Sequence, residues 1–183
     1  MTRRPICRAL PAILLALTGP LVAACATDTP AAARDRTGVC GDARLQAHRG
    51  GPDGPENSLA ALQLAADSGF DAAEVDVQRL ADGTWVLHHD AVTGRTVAGG
   101  LPQPVGTLTV DDWRNRVLKT RDGRTTQTAP PLLDHALSLA SQRELPLNIE
   151  IKGLYGCSAV RALEAQVANA LPEQQVQYSS VDP

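Results

Sequence analysis

Ala72-Ala73-Glu74-Val75-Asp76-Val77-Gln78 is the stretch whose reading decides the fold. Side chains alternate across a strand, so Ala73, Val75 and Val77 share one face and Glu74 and Asp76 the other. The apolar face calls for covering helices. The acidic face is the unusual one: two carboxylates on an otherwise buried surface repel each other unless a cation sits between them.

Downstream, Thr84 to His89 reads as a second strand, separated from the first by Asp82-Gly83. The connection is too short for a strand–helix–strand crossover. It reads as a hairpin centred on Asp82-Gly83, which sets Asp76 opposite His89, or else as an extended parallel return; both readings stay open. Further on, Leu147 to Lys152 repeats the opening pattern, with Asn148, Glu150 and Lys152 on one face and Leu147, Ile149 and Ile151 on the other. Upstream, Arg44 to His48 is a short strand. Asn57 or Ser58 can cap a helix over Leu59 to Ser68 that stops at Gly69, with Leu59, Leu62 and Ala66 on its apolar face. Residues 90 to 108 read as a long loop bearing glycine and proline. Helices are expected from Thr109 to about Leu118, Leu132 to about Gln142 and Ser158 to Leu171, with a last strand at Gln175 to Ser179.

This alternation predicts an α/β fold with a mainly parallel sheet. A full eight-stranded barrel takes roughly 250 residues, more than Cys40 to Pro183 supplies. Five barrel strands alone leave two open edges, so the expectation is a piece of a longer protein.

His48 and His89 fall at the predicted C-terminal ends of strands, where α/β folds build their sites. Each lies next to a charged residue, which suits general acid/base work. His88 alternates to the other face and reads as packing. Arg49 can fork onto a phosphate, and Lys152 can add a point charge. Glu74, Asp76 and Glu150, without a cysteine among them, suit a hard ion such as Mg²⁺ or Ca²⁺. The competing reading pairs Arg49 or Lys152 with these acids in salt bridges, without metal.

The N-terminus has another character. Arg3, Arg4 and Arg8 precede an apolar run from Ala9 to Ala24 that is broken by Pro11 and Gly19-Pro20. That is a secretory leader over residues 1–24, too interrupted for a spanning helix. Leu21-Val22-Ala23-Ala24-Cys25 resembles a bacterial lipobox, which implies lipidation at Cys25, a membrane anchor and a place on the outer face of the cell membrane. Cleavage after Ala24 or Ala26 would instead release a secreted protein. Residues 25–39 read as a flexible tether, and residues 40–183 as the folded domain. Export makes a Cys40–Cys157 disulfide permissible, although the two can lie at opposite ends of a barrel; a partner outside this stretch of chain is the alternative. A formal net charge of −3 with no Lys/Arg cluster argues against nucleic acid as a partner.

Taken in order, His48-Arg49-Gly50, Pro55-Glu56-Asn57-Ser58, Glu74-Val75-Asp76-Val77, Asp82-Gly83, His89-Asp90 with Arg95-Thr96, and Asn148-Ile149-Glu150-Ile151-Lys152 resemble the glycerophosphodiester phosphodiesterase family. The likeness runs from about Leu45 to the end and covers the N-terminal half to two-thirds of that domain. It implies an imperfect TIM (β/α)8 barrel, a divalent metal, and hydrolysis of glycerophosphodiesters, small or lipid-derived, to glycerol 3-phosphate and an alcohol. By the same likeness His48 and His89 are the acid/base pair; attack by the glycerol 2-hydroxyl through a cyclic phosphate is the mechanism expected of such a pair. Glu74, Asp76 and Glu150 are the metal ligands, Arg49 contacts phosphate, and Glu56 and Lys152 support the site. Other readings are a lysophospholipid or phosphoinositide phosphodiesterase on the same barrel, and an inactive surface-anchored binding protein.

Overall fold

The computed structural model describes residues 44–180. The expected leader and tether, with Cys25 and Cys40, lie outside the described residues. Cys157 is exposed with its thiol free.

The acidic stretch forms the central strand. Strand β1 is Gln46–Ala47, β2 Ala72–Arg79 and β3 Trp85–Leu87. Further along come β4 (Val97–Ala98), β5 (Val117–Leu118), β6 (Leu147–Ile151) and β7 (Val176–Ser179). The parallel order is β1-β2-β6-β7, with β3 antiparallel to β2. Because Val77 pairs with both Leu87 and Ile151, β3 lies on the β1 side of β2. The connection without a helix is thus the hairpin. Its register runs Val77 to Leu87, which sets Asp76 against His88 rather than His89. The His88 N–H donates to the Asp76 carbonyl at 3.0 Å.

Helices α1 (Leu59–Asp67), α3 (Leu133–Arg143) and α4 (Cys157–Ala168) cover the apolar face of the sheet. Ser58 caps α1 by accepting from the Ala61 N–H at 3.1 Å, and Gly69 ends it at φ +71°. Ala73, Val75 and Val77 are buried against Leu62, Leu133, Ala136, Leu137, Ala140 and Leu163. Each fully buried leucine there is worth about 1.5–3 kcal/mol relative to exposure. The result is one sector of a barrel, with apolar packing outside the sheet and polar side chains inside.

Between β3 and α3 the chain departs from the expectation. Thr109 starts a helix through a capping box with Asp112, but α2 (Val110–Arg114) ends after little more than one turn. Val117 and Leu118 instead pair antiparallel with Ala98 and Val97. Non-local strand pairing here overrides local helix preference, because it buries Leu118 with Trp113, Val97, Val105 and Leu108. The expected loop at 90–108 therefore carries a strand and a 3-10 turn (Val105–Thr107). Together with α2 and β5 it makes a small two-stranded insert whose apolar side packs on Leu80, Val86 and Leu132 in a second core.

Candidate active site

The site begins where β1 stops. His48–Gly50 forms a 3-10 turn in which Arg49 takes φ +55°, an uncommon value for a side-chain-bearing residue. That turn aims the Arg49 N–H at Glu74 Oε2, 2.7 Å away. It also demands glycine at position 50, where φ is +84° and a Cβ would stand 2.8 Å from the Ala61 Cβ. The turn is thus pressed against α1 while its outer side faces the acidic end of β2.

Alternation along β2 places Glu74 and Asp76 on the inner face, 4% and 0% exposed. The parallel register sets Glu150 of β6 beside Asp76. One carboxylate oxygen from each of Glu74, Asp76 and Glu150 lies within 4.8 Å of the others. Two cations share the space. Lys152 Nζ donates to Glu150 Oε1 at 2.6 Å and stands 3.3 Å from Asp76 Oδ1, and Arg49 Nε is 3.4 Å from Asp76 Oδ2. So the salt-bridge reading is realised in part. It leaves Glu74 Oε1 buried without a hydrogen-bond partner and Asp76 Oδ1 with only the Lys152 ammonium at 3.3 Å; an unpaired buried polar group costs about 1–3 kcal/mol, more when charged. Burial, and then repulsion from Asp76 and Glu150, push the Glu74 carboxyl up to about 7, against the Arg49 N–H. An unpartnered Glu74 oxygen, an Asp76 oxygen met only by an ammonium, and an all-carboxylate donor set fit a hard divalent cation held by Glu74, Asp76 and Glu150.

The two histidines are tied to this cluster differently. His48 is largely exposed, its Nε2 3.9 Å from Glu74 Oε2. His89 is half-buried, with Nδ1 2.8 Å from Asp90 Oδ1. When Nδ1 carries the hydrogen, it donates to Asp90 and leaves Nε2 free to move a proton. His88 packs edge-on against Trp113 and is buried, as expected. The His88 and Asp90 carbonyls are both held by Gln78 Nε2.

An arginine ties the two sides together. Arg95 forks onto Glu56 with contacts of 2.9 and 2.6 Å and onto Asp90 with contacts of 2.6 and 2.9 Å. Glu56 also accepts from Arg49 at 3.2 Å. The Arg95 hydrogen bonds, followed by that of His89, hold the Asp90 carboxyl well below the usual carboxylate range despite partial burial. Burial would raise Glu56, but Arg95 and Arg49 outweigh it and lower the carboxyl.

Residues 48–176 match the model of the Glycerophosphoryl diester phosphodiesterase family. The chain belongs to that family. A glycerophosphodiester phosphodiesterase of Bacillus altitudinis is 35% identical over 118 residues, covering 60% of this chain and 45% of that protein. The crystal structure of a glycerophosphodiester phosphodiesterase from Agrobacterium tumefaciens is 27% identical, with a TM-score of 0.65 over 76% of this chain and 58% of that one. A phosphodiesterase of Oleispira antarctica, solved with the product sn-glycerol-3-phosphate, is 25% identical with a TM-score of 0.66 over 76% and 58% of the two chains. The chain thus spans about half the length of these relatives. Its fold is the N-terminal part of their imperfect TIM barrel.

Within this family sector, the expected residues His48, Arg49, Glu56, Glu74, Asp76, Glu150 and Lys152 converge on one side of the inner sheet face, with His89 at its rim through Asp90, Arg95 and Glu56. Sequence reasoning missed the positioning residues. Asn57, a candidate cap, sits at φ +54° and leaves capping to Ser58. Its Nδ2 donates to Asp76 Oδ2 at 2.7 Å while its Oδ1 accepts from the Asp76 N–H at 3.0 Å. Arg95 and Asp90 stood within quoted motifs, but spacing along the chain carries no sign that they bridge to Glu56.

Proposed function

We propose that the protein is a metal-assisted phosphodiesterase that hydrolyses glycerophosphodiesters to glycerol 3-phosphate and an alcohol. The observation that carries this reading is the Glu74–Asp76–Glu150 cluster, with a buried Glu74 oxygen that has no partner, set beside Arg49, Lys152 and His48. A bound divalent cation, Mg²⁺ or Ca²⁺, would supply charge neutralisation at a phosphate oxygen. Arg49 and Lys152 orient the phosphate from either side of Asp76.

Proton transfer falls to the histidines. One takes the proton of the glycerol 2-hydroxyl as that oxygen attacks phosphorus, and the other gives a proton to the departing alcohol oxygen. The cyclic phosphate so formed is opened by water, with the two roles reversed. Asp90 holds His89 in the tautomer that leaves Nε2 for this work. The leader sequence supports export with a lipid anchor at Cys25, which brings lipid-derived diesters within reach.

The test is hydrolysis of glycerophosphocholine by the full chain with Mg²⁺, Ca²⁺ or EDTA. Metal-dependent release of glycerol 3-phosphate is expected, reduced by about 10²–10⁴ in His48→Ala and in His89→Ala. Turnover unaffected by EDTA, or retained in both variants, contradicts the assignment. A Cys25→Ser variant that still incorporates labelled palmitate would contradict the anchor.

A further inference from the structure

A second cationic surface lies beside the site and takes no part in the chemistry described above. A cavity of about 270 Å³ is lined by Glu56, Arg95, Thr96, Lys119, Thr120 and Arg121. It contains none of Glu74, Asp76 or Glu150, yet it shares Glu56 and Arg95 with the network that holds Arg49 and Asp90. Its outer wall comes from the insert, where Lys119 to Thr125 form a short hairpin closed by the Thr120 N–H on the Arg124 carbonyl.

The charges in this wall are arranged unequally. Glu56, the cavity's one carboxylate, is already engaged by Arg95 and Arg49. Arg95 is itself spent on Glu56 and Asp90. Lys119 and Arg121 have no ion pair with any carboxylate among the described residues. Lys119 Nζ donates to the Gly94 carbonyl at 2.8 Å, and Arg121 donates to the Gly51 carbonyl at 2.5 Å. The neighbouring acid Asp122 is turned to Arg124 and Thr120. Arg121 also lines the adjoining hollow that contains His48, Gly51 and Pro52. The tip of the insert therefore spans the rim between His48 and the cavity. Each cation keeps donor capacity beyond its one carbonyl contact.

On this geometry, and resting on the phosphodiesterase reading, we infer that Lys119 and Arg121 form an anion subsite for the leaving alcohol. The preferred substrates are glycerophosphodiesters whose alcohol carries a second anionic group, such as a phosphate monoester. Arg121 can meet that group as a fork and Lys119 as a point charge. The scissile phosphate stays with Arg49 and Lys152, so the two anions have separate cations.

A matched pair of diesters tests this: glycerophosphoinositol and glycerophosphoinositol 4-phosphate. Binding of both to the full chain is measured by calorimetry, and kcat/KM from glycerol 3-phosphate release, at low and high salt. The expected result is a preference for the 4-phosphate of about tenfold at low salt, shrinking as salt screens it. In Arg121→Ala and Lys119→Met the ratio falls, and in the double variant it approaches one. A ratio near one in the wild type, or a preference that survives in the double variant, overturns the subsite. A binding preference without turnover of either diester would keep the subsite and overturn the phosphodiesterase reading instead.

Discussion

Glu74→Gln separates the cost of the acidic cluster from its use. Glu74 is buried, and the carboxyl is raised from 4.5 to about 7, chiefly by burial and next by Asp76 and Glu150. In the unfolded chain the same carboxyl ionises near its ordinary value. Between these two values the folded state holds a proton that the unfolded state has released, so stability falls as pH rises through this window. Above about pH 7 the full cost is present. At 1.36 kcal/mol per unit it amounts to about 3 kcal/mol without metal. Glutamine mimics the protonated acid, and its carbonyl can still accept from the Arg49 N–H. In EDTA, Glu74→Gln should therefore be more stable than the wild type at pH 8 by up to about 3 kcal/mol, or roughly 6–10 °C in Tm. The gain should vanish near pH 4.5. Added Mg²⁺ or Ca²⁺ should stabilise the wild type by mass action and the variant far less. Thermal unfolding followed by circular dichroism at both pH values, with and without metal, reads all of this. An equal difference at both pH values, or no gain at pH 8, would refute the argument that ionised Glu74 is held at a cost a cation relieves.

Three other perturbations address the supports of the site. Gly50→Ala adds left-handed strain and a clash with Ala61, while Gly69→Ala adds strain with open space around it. In urea titrations the first should lose about 3 kcal/mol and the second about 1, and equal losses would contradict the close approach to α1. Asn57→Ala strips Asp76 of both reciprocal hydrogen bonds, so a loss of about 2–4 kcal/mol is expected; a change below 1 kcal/mol in the urea midpoint analysis would count against that pairing. Asp90→Asn frees His89 and breaks one half of the Arg95 bridge. It should lower kcat by about 10²-fold with KM little changed, and an unaltered kcat would remove Asp90 from the catalytic apparatus.

Much of the molecule was legible in the chain because its signals are local. Period-two alternation placed Glu74 and Asp76 on one face and Val75 and Val77 on the other, and the structure keeps that division along β2. The stop at Gly69 is decided within a few residues, whereas the choice of Ser58 over Asn57 as cap and of the Asp82-Gly83 hairpin over a parallel return was open in the sequence and is settled by the structure. The catalytic and metal candidates were legible for the same reason. Carboxylates on a buried strand face and histidines at strand ends point to metal and proton chemistry, with ion pairs to Arg49 and Lys152 as the competing role.

The errors and omissions arise where partners are distant in sequence. Helix α2 stops at Arg114 because Val117 and Leu118 find strand partners some twenty residues upstream, a gain that no local propensity reveals. The one-residue shift that sets His88 against Asp76 depends on how the hairpin turn registers. The sequence by itself determined the α/β alternation and the acidic inner face, and it nominated the histidines and carboxylates proposed for the chemistry, since each follows from the chemistry and spacing of neighbouring residues. Only the tertiary structure decided that Asn57 locks Asp76, that Arg95 bridges Glu56 to Asp90, and that the insert carries Lys119 and Arg121 to the rim. Asn57 and Asp76 lie 19 residues apart and meet because the turn before α1 packs on β2, while Arg95 and Glu56 lie 39 apart and meet because the chain after β3 folds back against that same turn.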